Sequence, residues 1–257
     1  MALLTEQKQA IIHRAVTQGL DPSVPMKESG IPWLGEIPAH WEVVRLGRIV
    51  RSANAGEVIS KNWWGIGNET LYTCARNSLR SNFAPFPAWK RTSGLDLLLT
   101  RNGTPYVHKP VSNAIYSNVV QRINLTQNIN RDYIAIALGI SASFMKGYGV
   151  SIESLNYSMW KALPIPLATL PEQAVLLQAI GARTGPLDVT IERTQRQIGL
   201  LREYRARLVA DVVTGKLDVR AFAETLPDEA PDDIEAIEAD VDEDADDDET
   251  GDGADEG

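Results

Sequence analysis

The chain carries one stretch of nineteen residues twice. Residues 3–21 read LLTEQKQAIIHRAVTQGLD and residues 200–218 read LLREYRARLVADVVTGKLD, at a constant offset of 197 with no gap. Leu3, Leu4, Glu6, Val16, Thr17, Leu20 and Asp21 recur as Leu200, Leu201, Glu203, Val213, Thr214, Leu217 and Asp218. Lys8/Arg205, Ile11/Leu208, Ile12/Val209 and Ala15/Val212 are close substitutions. An internal repeat organises a fold, so this one is read before anything local. Both copies read as amphipathic helices with a shared T-x-x-L-D stop, bracketing a single body.

Residues 3–17 are expected to be helical, stopped by Gly19 and Pro22. The second copy lies at the end of a longer helix, expected from Leu187 to Val213. Its apolar register is Leu187, Ile191, Thr194, Ile198, Leu201, Arg205, Leu208, Val212. The spacing alternates four and three, which is a heptad seam with two polar positions. Glu192/Arg196 and Glu203/Arg207 fall at i,i+4 on its outer face. Shifted by the repeat offset, the seam lands on Leu4, Lys8, Ile11 and Ala15. The short first helix matches only the part from Leu200 onward, so the stretch from Leu187 to Ile198 needs another surface. Self-association or docking onto partner helices is therefore expected. A shorter helix over 171–182 is expected before it, with the segment RTGP breaking the two apart.

Between the helices, residues 22–41 are rich in Pro and Gly and carry two Trp. They read as an ordered extended strap pinned by Trp33 and Trp41. In 42–170, WEVVRLGRIV, LDLLLT, NAIYSNVVQRI and ALPIPL read as short strands. NINRDYIAIALGI reads as a helix capped by Asn130 or Asp132. SANAGEVISKNWWGIGNET and CARNSLRSNFAPFPAWKRTSG read as long polar loops, where binding residues tend to sit. The fold class is thus α+β. One globular mixed α/β domain (22–170) lies between an N-terminal helix (1–21) and C-terminal helices (171–219) that form an antiparallel coiled coil or helical bundle. An acidic tail (220–257) is expected to be disordered.

Charge decides what the body can bind. The formal net charge is −9. From Glu224 onward there are 18 acidic residues and no Lys or Arg, so residues 1–223 hold 16 acidic against 25 basic, or +9. Residues 41–165 hold 14 basic and 6 acidic, or +8. A basic globular unit points to an anionic partner, most often nucleic acid. One cysteine, Cys74, and three scattered histidines make no zinc-type cluster and no disulfide within the chain. With no apolar signal core and no long apolar run, a cytoplasmic location and no membrane contact are expected.

Reading DNA takes cations for phosphates and planar hydrogen-bonding side chains for base edges. Residues 76–109 hold Arg76, Arg80, Lys90, Arg91, Arg101 and Lys109 against the single Asp96. Asn102-Gly103 is a hairpin signal that would place Arg101, Asn102 and Thr104 at a tip. The expected DNA contacts are Arg76, Asn77, Arg80, Arg101, Asn102, Thr104, Tyr106, Lys109 and Arg122, with Lys146, Tyr148 and Ser151 as a second lip. Phe83, Phe86 and Trp89 are expected to pack under a proline-rich loop; Trp63 and Trp64 are left between packing and a partner surface. The expected partner seam is Leu187, Ile191, Ile198, Leu201, Leu208 and Val212.

GIPWLGEIPAHWEVVRL, LDLLLTRNGT, LNYSMWKALPIPLATLPEQ and the ending LVADVVTGKLD, in this order, resemble the specificity (S) subunit of type I restriction-modification enzymes. The resemblance covers residues 3 to about 219. In that family the subunit is a tandem of two recognition domains and two helical spacers; this chain carries one such unit. The resemblance implies a non-catalytic DNA reader that binds double-stranded DNA. It also implies docking to methyltransferase (modification) subunits and, where present, restriction subunits. Two copies would read a symmetric bipartite target. S-adenosylmethionine is expected in the partner and no cofactor in this chain. A 27-residue spacer helix spans about 40 Å at 1.5 Å per residue, comparable with half-sites about 34–36 Å apart. The residues agree with a non-enzyme. There is no [DNS]-P-P-[YFW] site, the nearest element being Pro164-Ile165-Pro166, and no glycine-rich cofactor loop. The second reading is a regulatory half-subunit that occupies modification subunits without targeting DNA, its acidic tail competing for the basic cleft.

Overall fold

The computed structural model describes residues 1–145 and 155–220. Lys146, Tyr148, Ser151 and the acidic stretch beyond residue 220 lie outside the described residues. The chain divides into two compact units, Met1–Thr194 and Gln195 onward.

The first unit opens with α1 (Ala2–Gln18), closed by Gly19 at φ 75°. The strap contains a short antiparallel pair, β1 (Met26–Glu28) with β2 (Glu36–Pro38). Trp41 is fully buried and Trp33 half-buried. WEVVRLGRIV is not one strand: β3 (Glu42–Arg45) gives way to a helical turn, α2 (Leu46–Ile49), and then to β4 (Val50–Ala55). Leu46 and Ile49 drive the break, since an α-turn puts both into the core. The two segments read as polar loops contain β5 (Trp64–Tyr72) and β6 (Leu79–Ser81), which pair antiparallel. The exposed stretch of β5, Gly65-Ile66-Gly67-Asn68, carries two glycines and an exposed Ile, so no polar–apolar alternation marks it. Strand β7 (Asp96–Thr100), β8 (Val107–His108), β9 (Ile115–Tyr116) and β10 (Val120–Leu125) follow. Helix α3 (Arg131–Ser143), helix α4 (Tyr157–Ala162) and β11 (Pro164–Leu167) complete the body.

The main sheet runs β4-β10-β7-β8, all antiparallel. A second sheet runs β6-β5-β9, with β5 and β9 parallel, and β11 pairs with β3. Strand β7 is buried along its whole length, which explains its unbroken apolar run, because a central strand covered on both faces has no polar side. Leu97 and Leu99 enter the core shared with α3, while Leu98 enters the second core with Ile115 and Tyr116. Gly56 is where this packing leaves no room for a side chain: a Cβ there would sit 2.2 Å from the Tyr116 carbonyl oxygen. Asn130 caps α3 as expected, its side chain accepting from the amides of Asp132 (2.9 Å) and Tyr133 (3.3 Å). The Tyr133 hydroxyl donates to the Pro166 carbonyl at 2.8 Å and ties α3 to β11.

Helix α5 runs unbroken from Leu170 to Val213 with Pro186 inside it, so RTGP does not break it. An interior proline costs about 3 kcal/mol or more. Gln173, Leu176, Ile180 and Thr184 are buried on the turns before it, and each buried aliphatic contributes about 1.5–3 kcal/mol. Lys8 pairs with Asp188 on the turn after it. Tertiary anchoring on both sides outweighs the local breaker.

In the second unit, Arg207 and Glu203 form the expected i,i+4 pair. The helix ends with Gly215 at φ 71°, and the amides of Lys216 and Leu217 donate to the Asp211 carbonyl at 2.8 and 3.0 Å. No described helix is long and apolar enough to cross a membrane.

Candidate nucleic-acid interface

The turn after β7 is built from its first residue outward. The Thr100 hydroxyl donates to the Thr104 carbonyl (3.1 Å) and accepts from the Tyr106 amide (2.9 Å), closing residues 101–106 into a fixed loop. The indole N–H of the fully buried Trp160 donates to the Thr100 carbonyl at 2.8 Å. Gly103 takes φ 73° at the tip, as the Asn102-Gly103 pair predicts. The loop is fastened to the turn before β10: the Arg101 amide donates to the Val119 carbonyl (2.8 Å) and its guanidinium to the Asn118 carbonyl (2.8 Å).

A second loop, 73–78, meets the first. The Arg76 guanidinium lies 5.9 Å over the Tyr106 ring, within the range of a cation–π contact. Tyr106 leans edge-on against His108 at 4.7 Å, and His108 against Tyr72 at 5.3 Å. His108 is buried, and burial drives its pKa down to about 4; it is a neutral prop. Burial likewise raises the pKa of the half-buried Cys74 thiol, making it less reactive. Among the described residues, Arg76 is the arginine set over an aromatic ring, and no described carboxylate pairs with it.

The remaining expected contacts are scattered. Arg76, Asn77, Arg80, Asn102, Thr104 and Lys109 are exposed, and Arg101 and Tyr106 half-buried. Arg80 donates to the Asn68 carbonyl at 3.2 Å. Lys109 lies 3.5 Å from Asp132 in the first turn of α3, away from the turn tip. The Arg122 guanidinium is turned inward. Its side chain is only 11% exposed, and it donates to the carbonyls of Trp89, Lys90 and Arg91 at 3.4, 2.8 and 2.9 Å. Two more cations of the basic stretch are internally neutralised. Lys90 pairs with Glu57, and Arg91 grips Glu69 through two hydrogen bonds of 2.8 and 3.1 Å. That bidentate bond lowers the Glu69 pKa and raises that of Arg91. Phe86 packs in the core against Tyr116, Phe83 is half-buried edge-on to Trp63, and Trp89 stays exposed beside Lys90. Among the described residues no His, Cys, Asp and Glu group could hold a metal ion.

Asn118 and Trp160 shape the site without having been singled out for it. Trp160 stood in a quoted motif; nothing local marks Asn118. Other motif residues form a separate junction. The Glu172 carboxylate, in the first turn of α5, accepts from the Trp41 indole N–H at 2.9 Å and lies 3.0 Å from His40 Nε2. Gln173 accepts from the Asn130 amide (2.9 Å) and donates to the Ala168 carbonyl (2.8 Å). Along α5, Leu187, Ile191, Ile198, Leu208 and Val212 are half-buried and Leu201 is 66% exposed.

No protein-family model matches the sequence, and no curated protein matches it. Solved structures do. The HsdS subunit from Thermoanaerobacter tengcongensis is similar at 13% identity and a TM-score of 0.48, over 84% of this chain and 52% of that one. The type I restriction-modification S subunit from M. genitalium is similar at 16% and 0.46, over 74% and 46%. A structure of the complex assembly and conformational transition of the type I restriction-modification system gives 12% and 0.51, over 82% and 53%. This chain therefore spans about half the length of each of these three chains. At these identities the likeness is one of fold, and the last of the three carries it: this chain is built on a fold found in the type I restriction-modification system.

Proposed function

We propose that this chain is a DNA-sequence recognition subunit of a type I restriction-modification system. It directs partner adenine methyltransferase subunits, and restriction subunits where present, to its target. The carrying observation is the meeting of two loops at one rim, with Arg76 laid on Tyr106 beside Asn102 and Thr104. An arginine pre-oriented on an aromatic ring, its fork unpaired among the described residues, suits bidentate recognition of guanine or a phosphate. The basic balance of the body and the shared fold support the same reading. The contact surface is assigned to Arg76, Asn77, Arg80, Arg101, Asn102, Thr104 and Tyr106, with Lys109 at its margin. Arg122 is left out because its donors are used internally.

The chain itself performs no catalysis in this reading; S-adenosylmethionine binds the partner. The seam Leu187, Ile191, Ile198, Leu201, Leu208 and Val212 pairs two copies or docks the partner helices, so that two reading heads address a bipartite site. Mapping methylated adenines in cells expressing the chain with its cognate methyltransferase tests this, and a symmetric bipartite motif is expected. In vitro, Arg76→Ala should weaken binding to that motif by about 1–3 kcal/mol. Equal binding by Arg76→Ala and the parent at every salt concentration would remove Arg76 from the surface.

A further inference from the structure

The two copies of the terminal repeat have opposite fates. In α1, Ala15, Val16 and Thr17 are buried and Ile12 half-buried, packed on the core formed with β2, Trp41 and α3. Their equivalents in α5 are Val212, Val213, Thr214 and Val209. Val213 is 78% and Val209 55% exposed, where Val16 is 1% exposed. The helix ends two residues earlier in the second copy, at Val213 against Gln18, but one local contact recurs. The Thr17 hydroxyl donates to the His13 carbonyl at 2.8 Å, and the Thr214 hydroxyl to the equivalent Ala210 carbonyl at 2.7 Å.

We infer that the exposed copy is a plug for the seat of α1, and that its occupant is a second copy of this chain. Residues 200–214 of each protomer take the place of α1 on the partner, and the partner does the same in return. Charge complementarity supports the exchange: Lys8 of α1 pairs with Asp188, and Arg205 brings the same charge to the Lys8 position. The seated helix is also the weaker competitor. Helix α1 has no side-chain N-cap and no acidic residue in its first turn, and it buries only three residues. The plug continues a helix already formed, so it meets no nucleation cost. Exchange of equivalent elements between protomers is a low-cost route to dimers. The inference deepens the pairing part of the proposed function and is independent of the DNA surface.

Sedimentation velocity and hydrogen exchange on the full chain test it. Val213→Asp should weaken self-association by at least about tenfold, because the seat would bury an unpaired carboxylate. Its thermal unfolding should match the parent's, since Val213 is exposed in the single chain. Val213→Ile should associate like the parent. As protein concentration rises, the amides of α1 should lose protection. Unchanged association of Val213→Asp overturns the proposal, as does a dimer in which α1 keeps its protection or a chain monomeric at every concentration. Loss of pairing in Ile191→Asp but not in Val213→Asp would leave the seam as the pairing surface and refute the plug alone.

Discussion

Replacing Glu172 by alanine separates a structural junction from a decorative one. The carboxylate accepts the indole N–H of Trp41, a residue with no solvent exposure, at 2.9 Å. Removing the acceptor strands that donor, at about 1–3 kcal/mol. Glu172 also stands in the first turn of α5, where a negative charge contributes about 0.3–1 kcal/mol through the helix dipole. The His40 pair adds little: its partners are 44% and 27% exposed, and such pairs contribute a few tenths of a kcal/mol when screened. The expected loss is about 2–3 kcal/mol for Glu172→Ala, read as a lower urea midpoint at unchanged m-value. Glu172→Gln keeps an oxygen for Trp41 and should lose no more than about 1 kcal/mol. Two results would refute the reasoning: an alanine variant as stable as the parent, or a glutamine variant as damaged as the alanine one.

Three further outcomes are expected. Arg122→Ala should destabilise the body by about 1–3 kcal/mol in urea, because it leaves partly buried carbonyls unpaired, while the folded protein keeps the parent's salt slope for DNA. His108 is neutral in the folded chain, its pKa driven to about 4 from 6.5 by burial. The unfolded chain therefore binds its proton first, and stability should fall as pH drops from about 6.5 toward 4, by up to roughly 3 kcal/mol from this group. His108→Phe should flatten that part of the stability–pH curve. Gly56→Ala should cost several kcal/mol or prevent folding, since its Cβ would overlap the Tyr116 and Ser117 carbonyl oxygens at 2.2 and 2.3 Å.

Elements with a strong local signal were legible. The Asn130 cap, the Asn102-Gly103 turn and the Leu97–Leu99 run of β7 follow from side-chain chemistry acting over three or four residues. Residues whose role depends on distant partners were not. Arg122 is as basic as Arg76, yet it is committed to the carbonyls of Trp89, Lys90 and Arg91, some thirty positions away in sequence. Charge alone cannot tell a spent guanidinium from an open one. Strand β5 was hidden because its exposed half, Gly65 to Asn68, has two glycines and no alternation, and its pairing with β9 comes from a segment more than forty residues later.

By itself the sequence determined the plan: two like helices around one basic α+β body, with motif phrases that share their order with a known family. Local periodicity and covalent order suffice for that. Only the tertiary structure decided that Pro186 is carried inside one helix, that Arg76 rather than Arg122 faces outward, and that one copy of the repeat is buried while the other is exposed. Those outcomes depend on which surfaces the rest of the chain supplies, and identical residues are buried or exposed according to what folds against them.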